Sequence, residues 1–112
     1  MEEMAAAFIE EVKRKGHISC LLKDVSFSLC METGKDKVPI MFRDGAILIS
    51  SPYHDESYDV TISGTEESIH SVLIGEERLR SAMKARKLTV KSTFRRILFL
   101  ESLFILSKRH SD

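Results

Sequence analysis

From Val25 to Glu32 the chain reads Val-Ser-Phe-Ser-Leu-Cys-Met-Glu, with every odd position apolar and every even one small or polar. Only a strand puts every second side chain on one face, so this stretch commits the chain to a β-sheet with one buried face. Upstream the period is different. Met4, Phe8, Ile9 and Val12 recur at helical spacing, with acidic residues before them and Lys13-Arg14-Lys15 and Gly16 after them. That pattern predicts a first helix whose charges suit its dipole and which Gly16 ends. A short helical turn is expected from Ile18 to Leu22.

Downstream the period of two persists. Thr33 to Lys37 supplies a turn, and Val38 to Phe42 gives a second strand whose Pro39 belongs near its start or on an edge. Asp44-Gly45 is a two-residue hairpin signal leading into a third strand, Ala46 to Ser50. Ser51 to Glu56 reads as a polar loop, and Tyr58, Val60 and Ile62 alternate along a fourth strand, so that four antiparallel strands in series are expected to form a meander. Helical spacing returns after Gly64: Thr65 is placed as a cap, Ile69, Val72 and Leu73 form a stripe, and Gly75 ends it. Glu76-Glu77 is expected to open a short helix carrying Leu79, Ala82 and Met83. Lys87 to Lys91 alternates as a fifth strand, and Ser92 or Thr93 caps a last helix reaching about Leu106. The fold class is therefore α+β, with helices covering one face of the sheet.

At 112 residues the chain has room for one core, so residues 1–112 are expected to form a single domain. Its formal charge of zero conceals polarity: residues 1–77 hold 7 basic and 15 acidic side chains, and residues 78–112 hold 10 basic and 2 acidic. The N-terminal stretch is acidic and lacks the basic and apolar regions of a secretory signal. The longest apolar run, Ile97 to Leu106, is interrupted by Glu101 and Ser102 and is too short to span a bilayer. Cys20 and Cys30 show no C-x-x-C spacing, which fits reduced thiols and a cytoplasmic location.

Several stretches together resemble the sterol-carrier domain of the sterol carrier protein type 2 family. They are Ser57-Tyr58-Asp59-Val60-Thr61-Ile62-Ser63, the helix from Glu66 to Ile74 closing on Gly75, Leu79-Arg80-Ser81-Ala82-Met83, and Lys87-Leu88-Thr89-Val90-Lys91 leading into an apolar helix. The Arg43-Asp44-Gly45 hairpin agrees, and the resemblance would make this a small stand-alone member of bacterial type. It departs at two positions: Arg86 and Ser92 stand where the family usually has glycines that serve backbone turns. The resemblance implies a five-stranded, largely antiparallel sheet with helices packed on one face. It also implies non-catalytic binding, and transfer, of a lipid such as a sterol, fatty acid or fatty acyl-CoA, in an apolar tunnel between sheet and C-terminal helix.

The last helix is unusual on physical grounds alone. Ile97, Leu98, Phe99, Leu100, Leu103, Phe104, Ile105 and Leu106 fall all round it, where one core would need only a stripe. The N-terminal helix and the sheet can cover it, or a lipid tail, a second subunit or a membrane surface can. A pocket there would be lined by Phe27, Leu29, Met31, Ile69, Leu73, Leu79, Met83, Phe94, Ile97 and Leu98, which are equally the expected core. Each methylene buried is worth ~0.8 kcal/mol, so a tail needs no polar code to be held.

Between residues 78 and 96 lie Arg78, Arg80, Lys84, Arg86, Lys87, Lys91, Arg95 and Arg96, with no acidic residue among them. Arg86, Lys87, Arg95 and Arg96 are the candidate head-group contacts; the same charges suit an anionic membrane, or pair with Glu66, Glu67, Glu76 and Glu77. Nucleic acid is not the expected partner, since Phe94 is the only aromatic side chain among these cations. No nucleophile elbow, phosphate-cradling loop or metal-ligand spacing is present, and neither Ser51, His54 and Asp55 nor His17 with Cys20 makes a site by sequence proximity. No catalytic residue, metal or cofactor is expected. The rival to lipid binding is an interaction module in which the C-terminal helix forms a homodimer or docks on a partner.

Overall fold

The computed structural model describes residues 2–50 and 57–108. Helix α1 (Glu2–Arg14) has Glu2 and Glu3 in its first turn and Lys13 and Arg14 in its last, and buries Ala5, Phe8, Ile9 and Val12. Gly16 opens α2 (Gly16–Leu22) rather than merely closing α1, with Lys15 between the two. Three strands follow, β1 (Ser26–Glu32), β2 (Lys37–Arg43) and β3 (Ala46–Ile49). The β2–β3 turn holds Asp44 at φ 48° and Gly45 at φ 86°, the two positive φ values that match hairpin twist. Next come β4 (Val60–Gly64), α3 (Glu66–Leu73), α4 (Leu79–Lys84), β5 (Leu88–Lys91) and α5 (Phe94–Leu106). Glu76 and Glu77 precede α4 instead of opening it, because Arg78 is the extended residue at its N-cap.

The sheet order is β3-β2-β1-β4-β5. The expected four-strand meander is corrected at its last member: β4 pairs parallel with β1, Leu29 against Val60 and Met31 against Ile62, instead of antiparallel with β3. Alternation states which face a residue takes and says nothing of which strand lies beside it. The other three pairings are antiparallel. Inward side chains align in rows across the strands: Ile49, Ile40, Leu29 and Val60 in one, Val38, Met31, Ile62 and Val90 in the next. These rows and the helices share one core. Phe27 stacks on Phe42 at 4.5 Å between ring centroids and meets the edge of Phe99 at 6.0 Å, while Phe8 meets Phe104 at 5.3 Å. The opposite sheet face carries Ser28, Met41, Leu48, Thr61 and Ser63, of which Leu48 is exposed.

The two departures from the family's glycines are accommodated differently. Arg86, in the turn before β5, keeps a left-handed backbone at φ 61°, which costs a residue with a Cβ roughly 1–2 kcal/mol. Ser92 does not share that conformation, but its hydroxyl is buried without a hydrogen-bond partner.

Candidate functional site

Helix α5 starts at a capped end: the Thr93 hydroxyl accepts from the Arg96 amide at 3.3 Å. It buries Ile97, Leu100, Glu101, Leu103 and Phe104, a spacing of three and four that forms one stripe. What remains outside is Phe94 at 64% exposure in the first turn and Ile105 and Leu106 at 37% and 44% in the last. Most of the all-round apolar sequence is thus accounted for by packing, and the surplus is confined to the two ends.

Glu101 is a charged residue inside that stripe, 6% exposed. Its carboxylate accepts from the Arg80 backbone amide at 3.0 Å and from Arg80 Nε at 3.0 Å, with the Nη2 nitrogen at 2.9 Å. Arg78, at the N-cap of α4, makes no side-chain cap hydrogen bond, so Glu101 satisfies from α5 an amide that α4 leaves open. Burial by itself would raise its pKa; the Arg80 hydrogen bonds and the Arg80 and Arg78 charges outweigh that and hold it below the usual carboxylate value.

The candidate lining residues distribute unevenly. Phe27, Leu29, Met31, Ile69, Leu73, Leu79 and Ile97 are core residues, Met83 packs half-buried against them, and Leu98 is half-buried. Phe94 does not join them: the apolar stripe of α5 runs one turn past the core, and the ring stands in the open. The space bounded by Met31, Ile62, Ile69, Val72, Leu73, Leu88 and Phe104, where the sheet meets α3 and the Phe104 ring of α5, leaves no room for a water molecule.

Open volume lies elsewhere. A cleft of about 200 Å³ runs between α1, α3 and the end of α5, lined by Met4, Ala7, Phe8, Glu11, His70, Leu73, Ile74 and Ser107. A shallower groove continues from it over Glu3, Glu66, Glu67 and His70. Leu73 belongs to both the cleft and the closed interior space, and Phe8 on the cleft wall touches Phe104 on the interior one. Leu73 and the Phe8–Phe104 pair thus border both the surface cleft and the core.

Of the candidate lining, only Leu73 reaches this cleft. Ala7, Glu11, His70, Ile74 and Ser107 lie outside the apolar stripes that the sequence shows, and Met4 and Phe8 belong to the stripe of α1, so the spacing marks these two as core and not as lining. The signal was present in the spacing: Met4, Ala7 and Glu11 on α1 and His70, Leu73 and Ile74 on α3 each follow a helical edge. A small residue, Ala7, sits where a larger one would close the gap.

Arg95 and Arg96 are at the other end of α5, whereas Arg86 and Lys87 precede β5, whose first residue pairs with Gly64 just before α3. Arg95 and Ser107 are twelve residues apart, about 18 Å along a helix. Arg86, Arg95 and Arg96 have no acidic partner among the described residues, whereas Lys87 Nζ lies 3.2 Å from Glu77 Oε2. Ser51, His54 and Asp55 lie outside the described residues, and no described helix is long and apolar enough to cross a membrane.

The model of the SCP-2 sterol transfer family matches residues 10–92. No curated protein matches the chain by sequence. Among solved structures, the ubiquinone synthesis protein UbiJ-SCP2 superposes with a TM-score of 0.75 at 10% identity, over 92% of this chain and 90% of that one. A crystal structure of sterol carrier protein 2 gives 0.67 at 15% identity, covering 97% and 96%. The sterol carrier protein 2 of Aedes aegypti, solved in complex with palmitate, gives 0.58 at 18% identity, covering 91% and 97%. At these identities the likeness is one of fold.

Proposed function

The chain belongs to the SCP-2 sterol transfer family, and on that premise we propose that it binds an apolar lipid without covalent chemistry, admitting it through the cleft between α1 and α3. The observation that carries this reading is the arrangement around Leu73, one side chain between an open apolar cleft and the core under α5. At about 200 Å³ the cleft is smaller than the roughly 300 Å³ at which ligand pockets begin. A tail therefore enters by moving Leu73 and the Phe8–Phe104 pair and extending toward the sheet. A chain of 12 to 16 carbons gains on the order of 10 kcal/mol by burial, enough to offset that rearrangement. The tunnel between sheet and α5 is then a state that the ligand opens. In the palmitate complex of the Aedes aegypti protein the same fold holds a fatty acid, which supports this use.

The mouth of the cleft narrows the ligand class. Glu3, Glu66, Glu67 and His70 line the adjoining groove, and an acidic rim opposes a carboxylate or a phosphate there. Of sterol, fatty acid and fatty acyl-CoA, the uncharged alcohol suits this mouth best. Native mass spectrometry of protein purified from cells, followed by solvent extraction, is expected to show a co-purifying neutral lipid. Hexadecanol is expected to displace a fluorescent sterol at lower concentration than palmitate does. A ligand-free protein that ignores both would sink the reading. The exposed Ile105 and Leu106 favour a second one, a homodimer through the end of α5; light scattering showing a dimer that Ile105→Gln with Leu106→Gln dissolves would support it.

A further inference from the structure

We propose that the chain associates with a second copy of itself by seating the Phe94 ring of one copy in the cleft between α1 and α3 of the other. Both halves of the contact belong to this chain. The first is Phe94, a phenyl ring 64% exposed in the opening turn of α5. Arg95 and Arg96 follow it directly, and neither has an acidic partner among the described residues. The second is the cleft of about 200 Å³ with Met4, Ala7, Phe8, Leu73 and Ile74 on its walls, continued by a groove edged with Glu3, Glu66 and Glu67. A ring held in water and an apolar cleft left open each cost free energy alone. Joined, each removes the other's exposed apolar surface.

Size, charge and distance agree on this occupant. An apolar cavity of roughly 150 Å³ is enough to hold a benzene ring, so the cleft accepts a phenyl as it stands, whereas a lipid tail has to move Leu73 and the Phe8–Phe104 pair first. Insertion of the ring also brings opposite charges together, with Arg95 and Arg96 beside it and Glu3, Glu66 and Glu67 along the groove. Glu11, on the cleft wall, is already engaged by Arg14 at 3.2 Å, so the carboxylates that receive the incoming arginines are those of the groove. The ring cannot fill its own chain's cleft. Phe94 and Ser107 are thirteen residues apart at opposite ends of one helix, about 20 Å along it, so the contact forms only between copies. It joins unlike patches and is heterologous: the first pair still holds one ring and one cleft. A foreign partner would account for the ring or for the cleft; a second copy accounts for both. The contact does not depend on the lipid reading, although a lipid in the cleft and a neighbour's ring exclude each other.

Sedimentation velocity over a concentration series tests the contact. The wild-type protein in low salt is expected to gain mass with concentration, and added salt to weaken the association. Phe94→Ser and Ala7→Phe act on opposite halves of the contact. The first removes a ring that stands in water, the second fills the cleft from the exposed flank of α1, and each alone is expected to weaken the association roughly 30-fold, the scale of a buried aromatic anchor. Mixed, the two variants complement each other. Ala7→Phe offers a ring without a cleft and Phe94→Ser a cleft without a ring, so their equimolar mixture is expected to form a dimer that neither forms alone. Arg95→Gln with Arg96→Gln is expected to weaken the association and to flatten its salt dependence. Circular dichroism melts establish that each variant is folded. The proposal is overturned if the wild type stays monomeric at millimolar concentration in low salt, if either single variant, still folded, associates as the wild type does, or if the mixture does not associate. An assembly that dissolves with Ile105→Gln and Leu106→Gln but not with Phe94→Ser would overturn it too, by placing the contact at the other end of α5.

Discussion

Glu101 shows how a single residue can mislead when its sequence neighbours alone are considered. It interrupts the apolar run from Ile97 to Leu106, which argues for an exposed site, yet it is buried because the amide and guanidinium of Arg80 are waiting for it. Its partner is 21 residues away, and helical periodicity carries no information at that range. The energetic consequence is specific. Glu101→Ala leaves the Arg80 amide open and is expected to cost about 2 kcal/mol; Glu101→Gln, which keeps an acceptor but not the charge, about 1. These are modest for a buried carboxylate because the Arg80 side chain is 45% exposed, and solvent screens its share. The folded pKa lies below the unfolded one, so the charge stabilises fully above roughly pH 4.3 and is lost as pH falls through the lower, folded value. Urea unfolding of the wild type and Glu101→Gln is therefore expected to differ at neutral pH and to converge in acid.

Among elements, the parallel pairing of β1 with β4 is what sequence patterning could not supply. The alternation in β1, the Asp44-Gly45 turn, the Thr65 cap and a last cap at Ser92 or Thr93, which proves to be Thr93, were legible because each is settled within a few residues. The β1–β4 neighbour relation spans 31 positions, and its determinants are polar residues that alternation treats as filler. Asp59 Oδ2 accepts from the Ser28 amide at 2.9 Å, and the Asp59 amide donates back to Ser28 Oγ at 3.0 Å, just before Leu29 and Val60 begin to pair. At the far end the Ser63 hydroxyl donates to Glu32 Oε1 at 2.8 Å. These contacts clamp both ends of a ladder whose slanted hydrogen bonds are otherwise weaker than antiparallel ones. Asp59→Ala is expected to lower stability by roughly 1.5 kcal/mol, since the contact is to a charged group but exposed. Hydrogen exchange should quicken first at the β1–β4 amides, and equal quickening across β2–β3 would contradict a local role. The cleft is only half legible for a related reason: each helix edge shows in its own spacing, but which edges meet is set by packing, and here the flanks of α1 and α3 fail to close over Ala7.

Across the whole molecule, the division of charge at residue 77 acquires a spatial meaning. The acidic part of the chain supplies Glu3, Glu11, Glu66 and Glu67 around the cleft, and the basic part supplies Arg95 and Arg96 at the start of α5, about 18 Å along that helix. A chain judged by its charges alone would be given an anionic ligand, with salt weakening its binding. The acidic rim of the cleft argues against that expectation, since an uncharged lipid held there has no charge for salt to screen. Ligand binding also stabilises the folded state by mass action, about 2.7 kcal/mol when free lipid is a hundredfold above Kd. For a chain of this size that corresponds to a rise in Tm of roughly 10 °C. Saturating hexadecanol is expected to produce such a rise at low and high salt alike. Ala7→Phe fills the cleft from the exposed flank of α1, so the variant should fold normally and show little rise. A shift that survives Ala7→Phe would place the lipid's entry elsewhere, and one that disappears with salt would return the basic residues to the head group.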